Sequence, residues 1–373
     1  MKVIIVGTAY PYRGGLATFN ERLALEYVEQ GHDVEIYTFT LQYPSFLFPG
    51  KTQFSTDSAP EKLTIFRRIN SCNPFNWLKV GREIAKKNAD LVIFAYWMSF
   101  MAPCMGTIAR RIRKNGHSKV IALVHNMIPH ELTILDKLLP PYFVKSMDGF
   151  TALSQAVVDD INKFDKRNCP KNFAPHPIYD HYGEKMSREA ALQQLKLDTD
   201  CRYVLFFGFI RAYKGLDLLL QAFAQEELKN QNVKLIVAGE FYEDEQLYQK
   251  MIDQLGIRDK VILHTDFIPN EQVKIYFSAA DIVAQPYKTA TQSGVTQIAF
   301  HFEKPMLVTN VGGLAEIVPN GKIGYVVEPN PKEIAASLKD FFANNRKESF
   351  ESHIKEEKKK YAWSRMTDAI ANL

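Results

Sequence analysis

Short apolar runs rich in β-branched residues alternate with amphipathic helical patterns along most of the chain, and this alternation restricts the possible folds more than any other feature. The chain opens with such a run at residues 3–6. A glycine-containing loop, a helical pattern over residues 16–30 and a second apolar run at residues 34–39 follow. A strand, a helix and a strand in this order form a βαβ unit, in which the two strands are parallel. The pattern therefore predicts parallel sheets covered by helices.

The alternation occurs twice, which predicts two domains. It lapses between about residues 168 and 196, where Pro170, Pro175 and Pro177 come close together, and it restarts at residues 203–207. A chain of 373 residues is also long for a single core. We therefore expect an α/β protein with two Rossmann-like domains, residues 1–180 and 181–350, whose strand ends face across a cleft.

Composition and charge exclude several classes of protein. The chain has 46 Lys and Arg against 42 Asp and Glu, far from the strongly basic balance of a nucleic-acid binder. No apolar run reaches the ~20 residues that a membrane span needs, and the opening run is too short for a signal peptide, so we expect a cytoplasmic protein. Four cysteines without metal-ligand spacing indicate free thiols and no metal site.

Positive charge is concentrated in the first half of the chain. Residues 1–185 contain 23 Lys and Arg against 17 Asp and Glu, whereas the remainder contains 23 against 25. The basic residues between Lys79 and Lys87 adjoin three large apolar residues, Phe75, Trp77 and Leu78. Such a mixture fits peripheral contact with the inner face of an anionic membrane, and it equally fits a solvated helix face beside ordinary core aromatics.

The loops that follow the strands are where open parallel sheets bind ligands. In the first half, Gly14 and Gly15 stand directly before a helix, whose free N–H groups suit a phosphate or a sugar. The pair fits neither the dinucleotide-binding pattern G-x-G-x-x-G nor the Walker pattern. The sequence therefore gives little support for a dinucleotide dehydrogenase or a P-loop NTPase.

Two histidines and a carboxylate, His125, His130 and Glu131, follow the strand predicted at residues 120–124. They form a candidate polar cluster, because histidine changes charge near neutral pH and donates a hydrogen bond in either state. Substrate binding, a structural role and metal binding all remain open for the histidines. Their five-residue spacing in a proline-containing loop differs from the helical spacing of a zinc site.

In the second half, Gly208, Arg211 and Lys214 lie between a strand and a helix. The two cations fit the neutralisation of a diphosphate, and a solvated basic loop is the alternative. Farther on, a segment rich in hydroxyl and amide groups, Thr291-Gln292-Ser293-Gly294-Val295, precedes another helix and suits phosphate or sugar oxygens, although a plain turn fits as well. Several such helix starts around one cleft indicate a nucleoside diphosphate ligand.

Together these segments resemble the retaining glycosyltransferases of the family 4 class, which have the GT-B fold. The resemblance covers nearly the whole chain and rests on Tyr12-Arg13-Gly14-Gly15, the segments 207–216 and 309–318, Val237-Ala238-Gly239-Glu240, and Lys304-Pro305. It implies an N-terminal domain that binds the acceptor and a C-terminal domain that binds a nucleotide-sugar. It also implies a C-terminal helix, residues 351–373, that packs back on the N-terminal domain.

The resemblance further implies roles for single residues. Arg211 and Lys214 would grip the diphosphate, and His125, with His130 as its rival, would face the transferred sugar. Phe267 and Ile268 would lie near the base. The remaining members of the implied substrate-binding set are Gly14, Gly15, Glu131, Gly208 and Glu240.

One departure separates this chain from the usual pattern of the family. That pattern has two glutamates, with seven residues between them, before the Lys-Pro element, and Ala290 and Ile298 stand at those positions here. The chain looks like a subgroup that uses Thr-Gln-Ser-Gly-Val instead. Gln292, Ser293 and the N–H groups of Gly294 and Val295 are therefore the candidates for contacts with the donor.

The activity implied is retaining, metal-independent transfer of a sugar from a UDP- or GDP-type donor to a glycan or lipid-linked acceptor in surface polysaccharide biosynthesis, with no cofactor. The only D-x-D triplet, Asp198-Thr199-Asp200, precedes a strand and is expected at the sheet edge away from the cleft. Two alternatives remain open. They are a non-catalytic protein that binds a nucleotide-sugar or polysaccharide, and a sugar-nucleotide epimerase with the same fold.

Overall fold

A computed structural model of the protein describes residues 1–44, 53–55, 58–128, 135–290 and 293–373. The chain divides into two compact units. The first combines Met1–His176 with Ala362–Leu373, and the second is Pro177–Tyr361. The chain thus leaves the first unit after His176, close to the boundary expected at residue 180. It returns to the first unit at Ala362, whereas the sequence predicted a return at residue 351.

The first unit is built on a parallel sheet with the strand order β3-β2-β1-β4-β5-β6-β7. Strand β4 is buried along its whole length, as expected for a central strand that helices cover on both faces. The elements of this unit, in chain order, are β1 (Lys2–Val6), α1 (Gly15–Glu29), β2 (Asp33–Leu41), β3 (Thr64–Asn70), α2 (Pro74–Ala85), β4 (Leu91–Tyr96), α3 (Ala102–Arg113), β5 (Lys119–Val124), α4 (Leu135–Leu138), α5 (Pro140–Val144), β6 (Gly149–Ala152), α6 (Gln155–Phe164) and β7 (Lys171–Phe173).

The second unit repeats this architecture with the strand order β10-β9-β8-β11-β12-β13, again parallel. Its elements are α7 (Arg188–Leu195), β8 (Arg202–Phe207), α8 (Leu216–Phe223), α9 (Glu226–Lys229), β9 (Val233–Ala238), α10 (Glu245–Leu255), β10 (Val261–His264), α11 (Asn270–Ala279), β11 (Ile282–Gln285), α12 (Gly294–His301), β12 (Met306–Thr309), α13 (Leu314–Ile317), β13 (Gly324–Val327), α14 (Pro331–Ala343) and α15 (Lys347–Glu357). Two Rossmann-like parallel sheets confirm the predicted fold class.

Two segments differ from the sequence-based expectation. The predicted irregular linker at residues 168–196 contains a strand and a helix: β7 pairs with β6 at the sheet edge, and Ser187 caps α7 by accepting a hydrogen bond from the Ala190 N–H. Near the C-terminus, residues 351–357 belong to α15, because Phe350 and Ile354 are buried in the cores of the second unit. The returning helix is α16 (Trp363–Ala371).

Helix α16 completes the core of the first unit. Trp363, Met366 and Ile370 are buried in one apolar cluster with Phe19 of α1 and Val3 of β1. The rings of Phe19 and Trp363 meet at a centroid distance of 5.0 Å. The last helix of the chain is therefore an integral part of the first unit.

Candidate functional site

The first loop of the first unit turns at Gly14, directly before α1. Gly14 has a φ of +106°, which L side chains rarely adopt, although a side chain would meet open space there. Gly14 and Gly15 are exposed, and among the described residues no side chain caps the N-terminus of α1. The N–H groups of the first turn are therefore oriented to bind a polar ligand.

His125 is the first residue after β5, and its N–H donates to the Tyr96 carbonyl at 2.8 Å. Its ring meets Phe19 edge-on at a centroid distance of 4.8 Å. The residue is partly exposed, whereas its Nε2 atom is enclosed and has no hydrogen-bond partner within the described chain. Burial, together with nearby His176, lowers the pKa of His125 to about 3. The ring is thus neutral at physiological pH, contrary to the expectation of a group that changes charge there.

Three predicted site residues cannot be placed. His130, Glu131 and Gln292 lie outside the described residues.

In the second unit, the loops after β8 and β9 are joined through their backbones. The Ile210 N–H donates to the carbonyl of Glu240 at 2.9 Å, and the Tyr242 N–H donates to the carbonyl of Ile210 at 3.0 Å. A Cβ at Gly239 would lie 2.4 Å from the Gly208 carbonyl oxygen. Only glycine permits this approach, so Gly208 and Glu240 are held close together, with the Glu240 side chain half-buried.

Lys214 is the most unusual residue of this region. Its side chain is buried, and in the described part of the chain no carboxylate pairs with its ammonium group. Burial, with repulsion from Arg211, lowers the pKa of Lys214 to about 8. A buried cation is costly unless a counter-ion offsets its desolvation. Its position therefore fits an anionic ligand that supplies the missing charge.

Arg211, in contrast, is exposed and lies against a neighbouring loop. Its guanidinium carbon is 4.9 Å from the centroid of the Tyr242 ring, which packs edge-on against Phe209. The adjacent Ala212 N–H donates to Oε1 of Glu243 at 2.6 Å. The loop after β9 thus orients the loop that carries both predicted cations.

The start of α12 lies beside the loop that carries Gly208 and Lys214. A Cβ at Gly208 would lie 3.1 Å from Nζ of Lys214 and 3.8 Å from Cγ2 of Val295. Ser293 is buried and caps α12 by accepting a hydrogen bond from the Val295 N–H at 3.2 Å. Gly294 is exposed, and a Cβ there would come within 2.9 Å of the Tyr179 ring. The structure therefore brings together the two predicted anion-binding loops of this unit.

The predicted base-contacting residues follow β10. Phe267 is 51% exposed, and Ile268 is half-buried against the core of the second unit. An exposed ring next to an anchored neighbour fits a stacking surface.

Comparison with known proteins agrees with this architecture. The family model Glycosyltransferase Family 4 matches residues 13–170, and the model Glycosyl transferases group 1 matches residues 187–361. An uncharacterized glycosyltransferase of Methanocaldococcus jannaschii is 24% identical over 375 residues, which cover 98% of this chain and 95% of that protein. The chain is a GT-B glycosyltransferase.

Two further proteins extend the comparison. The lipopolysaccharide 1,2-N-acetylglucosaminetransferase of Salmonella typhimurium is 28% identical to this glycosyltransferase over 231 residues, 59% of this chain and 57% of that protein. HepE of Anabaena, solved in complex with UDP-glucose, has the same fold, with a TM-score of 0.69 at 16% identity over 100% of both chains.

The glycosyltransferase has apolar side chains where the resembled family has its two glutamates. Ile298 is buried in the core of the second unit, and Ala290 packs against that core. Neither side chain forms hydrogen bonds, so the polar groups at the start of α12 are the candidates for donor contacts.

Sequence reasoning did not single out Tyr287, Tyr242 and Glu243 of the glycosyltransferase as site residues. Tyr287 is buried, and its hydroxyl lies 3.2 Å from Oγ of Ser293. An aromatic residue two positions after the Ile282–Gln285 strand, inside a hydroxyl-rich turn, was the available signal. Tyr242 and Glu243 contact Arg211 and Ala212 from another loop, and no sequence spacing indicates that contact.

Proposed function

We propose that this glycosyltransferase moves a sugar from a nucleoside-diphosphate-sugar to a glycan or lipid-linked acceptor, with retention of configuration and without a metal ion. The observation that carries the proposal is Lys214, a buried ammonium group without a carboxylate partner among the described residues. It lies where the loop at Gly208 meets Val295 of α12. A diphosphate bound there supplies the missing negative charge, and Arg211 adds a planar, bidentate donor.

These groups match the chemistry of glycosyl transfer. The departing diphosphate accumulates negative charge while the sugar becomes oxocarbenium-like, and fixed cations lower the barrier by stabilising that charge. The N-terminus of α12 acts in the same way through its partial positive charge. His125, which is neutral, is the candidate in the first unit for a hydrogen bond to a substrate. The complex of HepE with UDP-glucose supports this ligand class.

The placement of the D-x-D triplet supports a metal-independent mechanism. Asp198 and Asp200 precede β8 and thus lie at the opposite sheet edge from Gly208. The Asp198 carboxylate accepts a hydrogen bond from the Asp200 N–H at 2.9 Å, so it organises its own turn. For retention, the acceptor hydroxyl attacks the anomeric carbon on the face that the diphosphate leaves, and a phosphate oxygen takes the hydroxyl proton. The Salmonella relative supports a role in surface polysaccharide biosynthesis.

A panel of UDP- and GDP-sugars, offered with and without lipid-linked and oligosaccharide acceptors, tests this function. We expect release of nucleoside diphosphate that requires an acceptor and is unchanged by a chelator, because side chains stabilise the leaving group. Binding of donor without release of nucleoside diphosphate would indicate a binding protein. The absence of the two glutamates is the observation that favours this alternative. Conversion of donor without acceptor would indicate an epimerase. Strict dependence on added manganese would contradict the metal-free mechanism.

We further propose that the first unit contacts an anionic membrane through α2. None of the helices in the described ranges has the length and apolar composition needed to cross a bilayer. Helix α2 and the residue that follows it instead carry an exposed stripe, defined here as the α2 stripe, formed by Phe75, Leu78, Lys79, Arg82 and Lys86. Phe75 is 84% exposed, and the three cations have no ion pair with other described residues.

The α2 stripe has the chemistry of an interfacial helix face. Its apolar residues stand at the N-terminal end of α2, directly after the carboxyl end of β3, and its charges follow toward the C-terminal end. Apolar side chains bury in the acyl boundary while Lys and Arg contact anionic headgroups. This geometry places the carboxyl edge of the first sheet beside the lipid surface, where a lipid-linked acceptor is available.

Vesicle flotation tests the α2 stripe. The protein is expected to bind vesicles of equimolar phosphatidylcholine and phosphatidylglycerol, and the double variant Phe75→Ser/Lys79→Glu should bind at least about tenfold more weakly, since each lysine contributes about 1 kcal/mol at an anionic surface. The matched control is Leu247→Ser/Lys250→Glu on exposed positions of α10. Equal binding of the two double variants, or binding to phosphatidylcholine alone, would refute electrostatic docking through α2.

A further inference from the structure

Tyr287 occupies a central position in the second unit that the proposed mechanism has not yet used. It follows β11 by two residues and is 4% exposed. Burial raises the pKa of Tyr287, so the hydroxyl is protonated at neutral pH. Its ring, its hydroxyl and its carbonyl each contact a different segment of the unit.

The ring of Tyr287 faces the loop with the two cations. Nζ of Lys214 lies 5.8 Å from the ring centroid, within the range of a cation–π contact, and the Tyr213 ring packs edge-on at 6.0 Å. The electron-rich face of the ring thus interacts directly with the Lys214 ammonium. No carboxylate among the described residues pairs with that ammonium. The ring holds the ammonium in place without neutralising it.

The hydroxyl of Tyr287 faces the start of α12. It lies 3.2 Å from Oγ of Ser293, which also accepts the Val295 N–H. Because both atoms are buried, this hydrogen bond fixes the cap of α12. The orientation of the first turn of α12 therefore depends on Tyr287.

The backbone around Tyr287 is itself immobilised. The Thr309 hydroxyl donates to the Tyr287 carbonyl at 2.5 Å, and the Lys288 N–H donates to the Tyr213 carbonyl at 2.7 Å. The preceding carbonyl, that of Pro286, would lie 1.9 Å from a Cβ at Gly215. Strand ends and loops thus hold the residue on both sides.

We propose that Tyr287 is a positioning residue that aligns the Lys214 ammonium with the N-terminus of α12, so that both bind one diphosphate group. The inference rests on the proposed donor class. The expected consequence is specific: Tyr287 strengthens binding of the β-phosphate, and its loss affects diphosphate ligands more than monophosphate ligands.

Nucleotide affinities of variants test this role, with UDP, GDP and their monophosphates as probes. Tyr287→Phe keeps the ring and should weaken diphosphate binding about threefold to tenfold, the usual effect of one hydrogen bond. Tyr287→Leu also removes the ring contact and should weaken it further. Tyr203→Phe is the matched control, because Tyr203 is equally buried and donates one hydrogen bond, to the Asp198 carbonyl, at the other edge of the sheet.

A coupling measurement distinguishes positioning from general damage to the fold. In a Lys214→Ala background, Tyr287→Leu should weaken diphosphate binding no more than Tyr287→Phe does, because the ring then has no ammonium to contact. If the two residues acted independently, their effects would add instead. Equal losses for diphosphates and monophosphates, or no loss in either Tyr287 variant, would overturn the inference while the donor class stands. Failure of the unmodified protein to bind any of the nucleotides would overturn the proposed donor class and this inference with it.

Discussion

Replacement of Lys214 by alanine is expected to lower kcat/KM for the donor at least about tenfold, equivalent to ~1.4 kcal/mol of transition-state stabilisation. The variant removes a buried cation that we propose to interact directly with the leaving diphosphate. Because Lys214 has no ion pair with other described residues, its loss leaves no carboxylate unpaired. Steady-state kinetics measures the change. Lys250→Ala, an exposed lysine on α10, is the control, and full activity of Lys214→Ala would refute the diphosphate assignment.

The pH dependence of donor binding tests whether the positive charge of Lys214 binds the donor. Burial lowers the pKa of Lys214 to about 8, so the free enzyme holds this charge below that pH and loses it as the pH rises through it. KM for the donor should therefore rise between about pH 7 and pH 9. His125, with a pKa of about 3, does not titrate in this interval. The rise should be absent in Lys214→Ala; the same rise in that variant would assign it to another group.

Replacement of Gly215 by alanine is expected to destabilise the second unit by at least about 3 kcal/mol. Gly215 has a φ of +68°, which costs an L residue about 1–2 kcal/mol. The new Cβ would also lie 1.9 Å from the carbonyl oxygen of Pro286, so α8 or the loop after β11 must move. Denaturant unfolding followed by far-UV circular dichroism measures the loss.

Gly256 provides the matched control for Gly215. It has nearly the same φ, +64°, at the C-terminus of α10, but a Cβ there meets no atom within 4 Å. Gly256→Ala should therefore cost only the left-handed conformation, about 1–2 kcal/mol. Equal costs for the two variants would show that close approach to Pro286 is unimportant.

The sequence alone predicts the fold class because parallel sheets are encoded locally. Each buried strand is a short apolar run, and each crossover helix shows its own periodicity. The same logic places Gly208, Arg211 and Lys214 after β8, and Ser293 at the start of α12. Connections in parallel sheets determine which end of each strand carries the ligand loops.

Other features depend on contacts between distant residues. No pattern around Lys214 indicates that it is buried without a carboxylate partner in the described part of the chain, or that Tyr287, 73 positions later, contacts its ammonium. Strand β7 is short and polar, and its pairing with β6 makes it a strand. The division between α15 and α16 likewise depends on which core buries Ile354 and which buries Trp363.

The contribution of α16 to the first unit constrains the order of folding during synthesis. Val3 and Phe19 are translated long before Trp363, with which they form one apolar cluster. The entire second unit emerges between them. Until α16 has been translated, part of the apolar surface of the nascent first unit is therefore uncovered, and chaperones can bind there.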